Sequence, residues 1–330
     1  MADKVDKDTS GERIARVIAR AGLASRREAE AWIAAGRVSV NGAVISSPAL
    51  NVGPSDHISI DGTPLRARER TRLFLYHKPR GLVTTHSDPE GRDTIFRALP
   101  KGLPRLISVG RLDINTEGLL LLTNDGGLAR VMELPATGYL RRYRVRALSR
   151  VRQERLDGLR DGVTIDGVRY GAIEATLDRE QGANIWLTFG IREGKNREVR
   201  KVLEYLGLKV NRLIRVAFGP FDLDDLASGA VKEIETTELR GKLGEQIVAE
   251  SGADFEAPLR AEEARAAARR HPETRWHQAR APRSTKGGQS DRPSLDAGRG
   301  ATRGDRTRRY SKKNPHRRDR SGGPRPSRPK

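Results

Sequence analysis

The sequence predicts an α+β chain: a small N-terminal module of helices and a hairpin, a larger mixed sheet domain, and a disordered basic C-terminal tail. Three observations carry this. Two short helical periodicities lead into an Asn-Gly hairpin within residues 12–60, and apolar strand-like runs alternate with helical stretches from 71 to 245. The last 50 residues are rich in Arg, Gly and Pro and hold almost no aliphatic side chain, so they cannot bury enough apolar surface to offset chain entropy. The expected boundaries are a flexible N-terminus at 1–11, the module at 12–70, the sheet domain at 71–245, and a linker helix with the tail at 246–330.

From Glu12 onward, Ile14, Val17, Ile18 and Ala21 are apolar at i, i+3, i+4 and i+7, one face of a helix that Gly22 stops. Ser25-Arg26-Arg27-Glu28 is a capping box, in which the Ser25 hydroxyl and the Glu28 carboxylate each satisfy a free N–H. Its helix runs through Trp32 and Ile33 to Gly36. Arg37 to Ile45 alternates around Asn41-Gly42, a turn that needs positive φ at both positions, and a further strand at 56–60 ends at Asp61-Gly62. In the second domain, Leu73 to His77 reads as a strand that Pro79 and Gly81 end. A loop of about 25 residues follows, a length that marks function or mobility. Two apolar runs, from Ile107 and from Leu119, then flank a polar loop holding Arg111, Asp113, Asn115, Thr116 and Glu117, an arrangement that can hold side chains rigidly over a site. Later, Val199, Val202, Leu203 and Leu206 form a helix face that ends at Gly207, with Asn196 as the expected N-cap.

The 330 residues carry 63 Lys plus Arg against 43 Asp plus Glu, a net charge of +20, which points to a polyanionic partner. Residues 281–330 hold 16 Lys or Arg against 4 Asp, so +12 of that excess sits in the tail. Such a tail is expected either to tether a nucleic acid such as RNA nonspecifically, by counterion release, or to serve only as a solubilising extension. The absence of Cys excludes disulfide frameworks, thiolate zinc sites, iron–sulfur clusters and cysteine nucleophiles, and fits a reducing intracellular home. No stretch approaches the roughly 18 apolar residues of a membrane span and the N-terminus has no apolar leader core, so the expected location is the cytoplasm. Asp113-x-Asn115-x-Glu117-Gly118 imitates half a calcium loop, but Asn124 stands where a bidentate Glu is required. His57, His77 and His86 have no mutual metal-ligand spacing.

Gly22-Leu23-Ala24-Ser25-Arg26-Arg27 and Gly36-Arg37-Val38-Ser39-Val40-Asn41-Gly42 resemble the S4 RNA-binding domain. The segment from Gly110 to Gly126 resembles the central motif of the RNA pseudouridine synthases. Lys78-Pro79-Arg80-Gly81 looks like that family's first motif, Arg142-Tyr143-Arg144-Val145 like its tyrosine strand, and Glu193 to Arg200 like its late basic motif. The resemblance spans residues 12–240 and is closest to the S4-bearing branch that modifies single uridines in ribosomal RNA, within it the large-subunit (RluB-like) enzymes.

The resemblance implies a mostly antiparallel catalytic sheet and a monomer that converts uridine to pseudouridine in ribosomal RNA, 23S in the large subunit, with no cofactor and no metal. By the same resemblance Asp113 is the catalytic aspartate, acting at C1′ by attack or by stabilising and deprotonating a sugar intermediate; an ordinary carboxyl is ionised at neutral pH and available for either. Arg111 fills the gap left by the flipped base or holds the flanking phosphate, Tyr143 stacks on the base and helps remove the C5 proton, and Arg200 pairs with Asp113. Lys78, Asn115, Thr116, Lys195, Arg197 and Leu213 contact the substrate, although core packing explains Leu213 equally well. Arg26, Arg27 and Arg37 contact RNA from the S4 module. Independent of the resemblance, Lys195, Arg197, Arg200 and Lys201 crowd a helix start, where each cation opposes the macrodipole by roughly 0.3–1 kcal/mol, so an anion is expected nearby. Two rivals, an RNA-binding assembly factor without catalysis and a nucleic-acid chaperone driven by the tail, leave the joint presence of Asp113, Tyr143 and Arg200 unexplained.

Overall fold

A computed structural model describes residues 11–259. The basic tail, most of the linker stretch and all but one residue of the N-terminus expected to be flexible lie outside the described residues.

In the module, helix α1 (Ile14–Arg20) buries Ile14, Ala15 and Ile18, and α2 (Arg26–Ala34) buries Ala29 and Ile33. The capping box closes, with Ser25 Oγ accepting from Glu28 N at 3.1 Å and Glu28 Oε2 from Ser25 N at 2.6 Å. Helix α1 begins at Ile14, the first residue of its apolar pattern and two residues after Glu12, because Glu12–Arg13 pairs with Asn51–Val52 as a short antiparallel ladder. Strands β1 (Val38–Val40), β2 (Ala43–Val44), β3 (Ile58–Ile60) and β4 (Thr63–Pro64) form an antiparallel sheet in the order β2-β1-β3-β4. Asn41 and Gly42 turn the hairpin at φ 52° and 85°, as its type requires.

The larger domain is built on a nine-stranded sheet. Its strands are β5 (Leu73–Lys78), β6 (Ile107–Val109), β7 (Glu117–Thr123), β8 (Arg141–Leu148), β9 (Ile173–Gln181), β10 (Asn184–Ile191), β11 (Lys209–Phe218), β12 (Phe221–Asp222) and β13 (Val231–Glu233). The order is β9-β10-β8-β11-β7-β5-β13, with β6 beside β7 and β12 beside β11. All pairs are antiparallel except β7 with β11, where Glu117 lies opposite Ile214 and Gly118 opposite Arg215. Every residue of β7 is buried, which is why Leu119–Leu122 within it reads as a continuous apolar run rather than an alternation. Helix α3 (Gly126–Glu133) and α5 (Thr236–Ser251) cover one face with Leu73, Leu75, Leu119 and Leu121. Helix α4 (Glu198–Tyr205) packs on the other with Phe74, Leu120, Leu122, Tyr143 and Val145.

Two features fix the frame around the Asp113 loop. Gly118 has φ 105°, and a Cβ there would stand 2.3 Å from the Arg215 carbonyl oxygen, so only glycine permits the parallel contact where the loop enters β7. Asp125, 2% exposed, caps α3 through Gly127 N and Leu128 N, accepts from Thr71 Oγ1 at 2.8 Å, and pairs with Arg68. The folded chain continues past 245: α5 crosses that boundary and Phe255 is in the core. Among the described residues no helix is long and apolar enough to cross a membrane.

Candidate active site

The loop between β6 and β7 is held carbonyl by carbonyl. Thr84 Oγ1 donates to Leu112 O at 2.8 Å, Thr116 N to Asp113 O at 3.0 Å, and Gly81 N to Ile114 O at 2.8 Å. Arg200 Nη2 donates to Asn115 O at 2.9 Å, and Lys78 Nζ reaches Asp113 O at 3.2 Å and Thr116 O at 3.0 Å. Five consecutive carbonyls thus have donors, and the Asp113 carboxylate is presented from a fixed backbone with its side chain 37% exposed.

One pocket on the α4 side of the sheet gathers Arg111, Asp113, Thr116, Tyr143, Lys195, Arg197, Arg200 and Leu213, so eight of the residues singled out from the sequence converge there. Thr116, Tyr143 and Leu213 are buried in its wall, while Arg111, Lys195 and Arg197 are exposed at its margin. Asn115 is exposed beside it and contributes its carbonyl to Arg200.

Three expectations are corrected by the geometry. The Asp113 ion pair is made by Arg197, whose Nη1 lies 3.8 Å from Asp113 Oδ2, rather than by Arg200. Arg197 is the N-cap of α4 in the left-handed region at φ 52°, and Arg200, one turn further in and half-buried, meets loop backbone instead. Burial and then the neighbouring Arg197 lower the Arg200 pKa, against the pull of Asp113. Asn196 does not cap the helix: Glu198 Oε2 accepts from Gly194 N at 3.0 Å and Lys195 N at 2.7 Å, folding the basic loop onto the helix start, and burial raises its pKa. Lys78 is fully buried and its ammonium is spent on the carbonyls of Pro79, Asp113 and Thr116, so it supports the loop from beneath instead of touching RNA. Burial lowers its pKa to about 8, opposed by Asp113 and Glu117. Arg37 is exposed on the module, where it also pairs with Asp61, at 3.0 Å from Nε to Oδ1, and lies over the Trp32 ring.

Arg26 and Arg27 are exposed and line a separate cleft with Arg16, Arg105 and Arg130. Sequence reasoning passed over Glu198 as a loop anchor, although a Glu just after Gly194-Lys195 and before an apolar face is a capping signal. It also passed over Arg215, which reads as one more strand arginine and proves 2% exposed.

The fold sets a small module of helices and a hairpin before a sheet domain whose pocket holds an aspartate, a tyrosine and several cations. In comparison with known proteins, residues 12–58 match the S4 domain, and residues 72–205 match the RNA pseudouridylate synthase family. A Rickettsia felis protein named an uncharacterized RNA pseudouridine synthase is 47% identical over 223 residues, 68% of this chain and 96% of that one. Ribosomal large subunit pseudouridine synthase B of Pseudomonas aeruginosa is 44% identical over 237 residues, covering 69% of this chain and 61% of that one. The protein of that name from Salmonella typhi is 40% identical over 240 residues, covering 70% and 82%. The chain belongs to the RNA pseudouridine synthase family.

Proposed function

We propose that this enzyme isomerises one uridine of large-subunit (23S) ribosomal RNA, with Asp113 acting at C1′ of the target nucleotide. The observation that carries the reading is the loop whose five consecutive carbonyls are held, so that the Asp113 carboxylate faces Arg197 in the pocket that Tyr143 also lines. The large-subunit assignment draws on the names of the Pseudomonas aeruginosa and Salmonella typhi relatives.

The reaction breaks the C1′–N1 bond, turns the base and joins C1′ to C5. The C5–H bond then breaks, N1 carries a proton in the product, and the oxidation state is unchanged. The target base leaves its stack at a cost of a few kcal/mol. Arg111, exposed beside Asp113, fills the gap or holds the flanking phosphate. Tyr143 and Leu213 supply the wall against which the base lies, and the Tyr143 oxygen takes the C5 proton. Lys195 and Arg197 hold phosphate at the pocket margin; Arg26 and Arg27 extend the cationic surface on the S4 module, and the tail adds a nonspecific tether.

The test incubates the purified protein with unmodified large-subunit and small-subunit rRNA and maps pseudouridine by carbodiimide treatment and reverse-transcription stops. One stop confined to the large-subunit RNA is the expected result. A stop only in the small-subunit RNA overturns the substrate, and no stop in either overturns the reading of rRNA as substrate.

A further inference from the structure

Arg215 is a buried cation that the reaction as described does not use. It is 2% exposed, its Nε donates to Leu119 O at 2.7 Å, and its guanidinium lies 5.0 Å from the centre of the Phe218 ring. Among the described residues Nη2 has no acceptor. No carboxylate among the described residues faces it; Arg141, a second buried arginine, sits over the same ring at 4.9 Å. Holding a guanidinium out of water without a counter-charge is unfavourable, and a neighbouring cation adds to that.

What does face Arg215 is Tyr143. The two residues are directly opposed across the antiparallel pair β8–β11, so their side chains leave the sheet on the same face, and Tyr143 lines the pocket. Burial lowers the Arg215 pKa; Tyr143 works in the other direction. The parallel contact of Arg215 with Gly118, at the root of the Asp113 loop, locks its backbone in place.

We infer that Arg215 is a positioning residue for the proton-removal step, orienting the Tyr143 oxygen and offsetting the negative charge that oxygen carries until it takes the C5 proton. The inference rests on the reading of Tyr143 given above. After C1′ has joined C5, that carbon bears both the sugar and a hydrogen. The C5–H bond breaks, its electron pair restores the ring double bond, and the proton passes to the Tyr143 oxygen, whose own proton has already gone to solvent. N1, which lost the sugar, gains a proton in the product, so protons and electrons balance. A cation behind the phenol, shielded from water, offsets the oxygen's charge at no reorganisation cost.

The test uses the full-length protein with a large-subunit rRNA transcript made from uridine triphosphate carrying deuterium at C5. Single-turnover rates are compared with those on the protiated transcript. Arg215→Met is expected to slow pseudouridine formation roughly 10²-fold, the scale of acid–base catalysis, and to show a larger deuterium isotope effect than the unaltered enzyme, because loss of the C5 proton becomes limiting. Arg215→Lys, which keeps the charge, is expected to recover part of the rate and to shrink the isotope effect; it also decides the matter should the Met variant not fold. A purely structural role would lower the active fraction and leave the isotope effect at its starting value, which would overturn the inference. Tyr143→Phe separates the two levels. An enlarged isotope effect in Tyr143→Phe but not in either Arg215 variant removes Arg215 alone, whereas none in Tyr143→Phe removes the role given to the tyrosine as well.

Discussion

The guanidinium of Arg197 stands 3.8 Å from the carboxylate of Asp113, while Arg200, from the same helix start, donates to the Asn115 carbonyl of the loop that carries it. One arginine meets the charge and the other meets the backbone. Because the Arg197–Asp113 pair is open to solvent, it contributes about 0–1 kcal/mol to stability, and Arg197→Gln should leave thermal unfolding nearly unchanged. Arg200→Gln releases the loop. Misplacement by about 1 Å is enough for a roughly 10²-fold loss, so its single-turnover rate at saturating RNA should fall on that scale with RNA affinity much less affected. Equal, small losses in both variants would contradict the division.

Lys78 makes the loop sensitive to pH through stability. Its pKa is about 8 in the folded chain against an ordinary 10.5, so between these values the unfolded chain binds more protons than the folded one. Unfolding free energy from this site therefore rises with pH across that window. Urea denaturation of the unaltered protein and Lys78→Met should show the difference between them moving in favour of the unaltered protein from pH 8 to 10. A difference independent of pH would contradict the placement of the ammonium.

Asp125 ties α3 to the segment entering β5. Its carboxylate takes hydrogen bonds from Thr71 and two helix N–H groups and pairs with Arg68. Asp125→Ala strips all of these at a buried position, a class of change that costs about 3–5 kcal/mol, and should lower the unfolding midpoint sharply. Asp125→Asn keeps part of the cap and should fall between.

Removal of residues 281–330 deletes a net charge of +12. The slope of log affinity for RNA against log salt should flatten markedly, while turnover at saturating RNA stays unchanged. Loss of turnover at saturation would show that the tail does more than tether.

The S4 module was legible because its signals are local. A capping box, an Asn-Gly turn and a helix-stopping glycine each work within a few residues, and all three stand where the pattern placed them. The run Leu119–Leu122 announced a strand buried on both faces for the same reason. What escaped depends on contacts distant in sequence. Lys78 looks like a surface cation beside a turn, and only the return of the chain at Asp113 and Thr116 encloses it. The Asp113 partner turned on the left-handed conformation of Arg197, which no residue type at that position announces. Arg215 is concealed in an alternating strand until β7 closes over it.

In the proposed function Asp113 carries out the chemistry from a loop already held in place. The most direct measurement is single-turnover pseudouridine formation by Asp113→Asn beside RNA binding by the same variant. No detectable product is expected, with affinity within a few fold of the unaltered protein, since the substitution leaves the loop carbonyls and their donors intact. Product formed at a rate near that of the unaltered enzyme would contradict it.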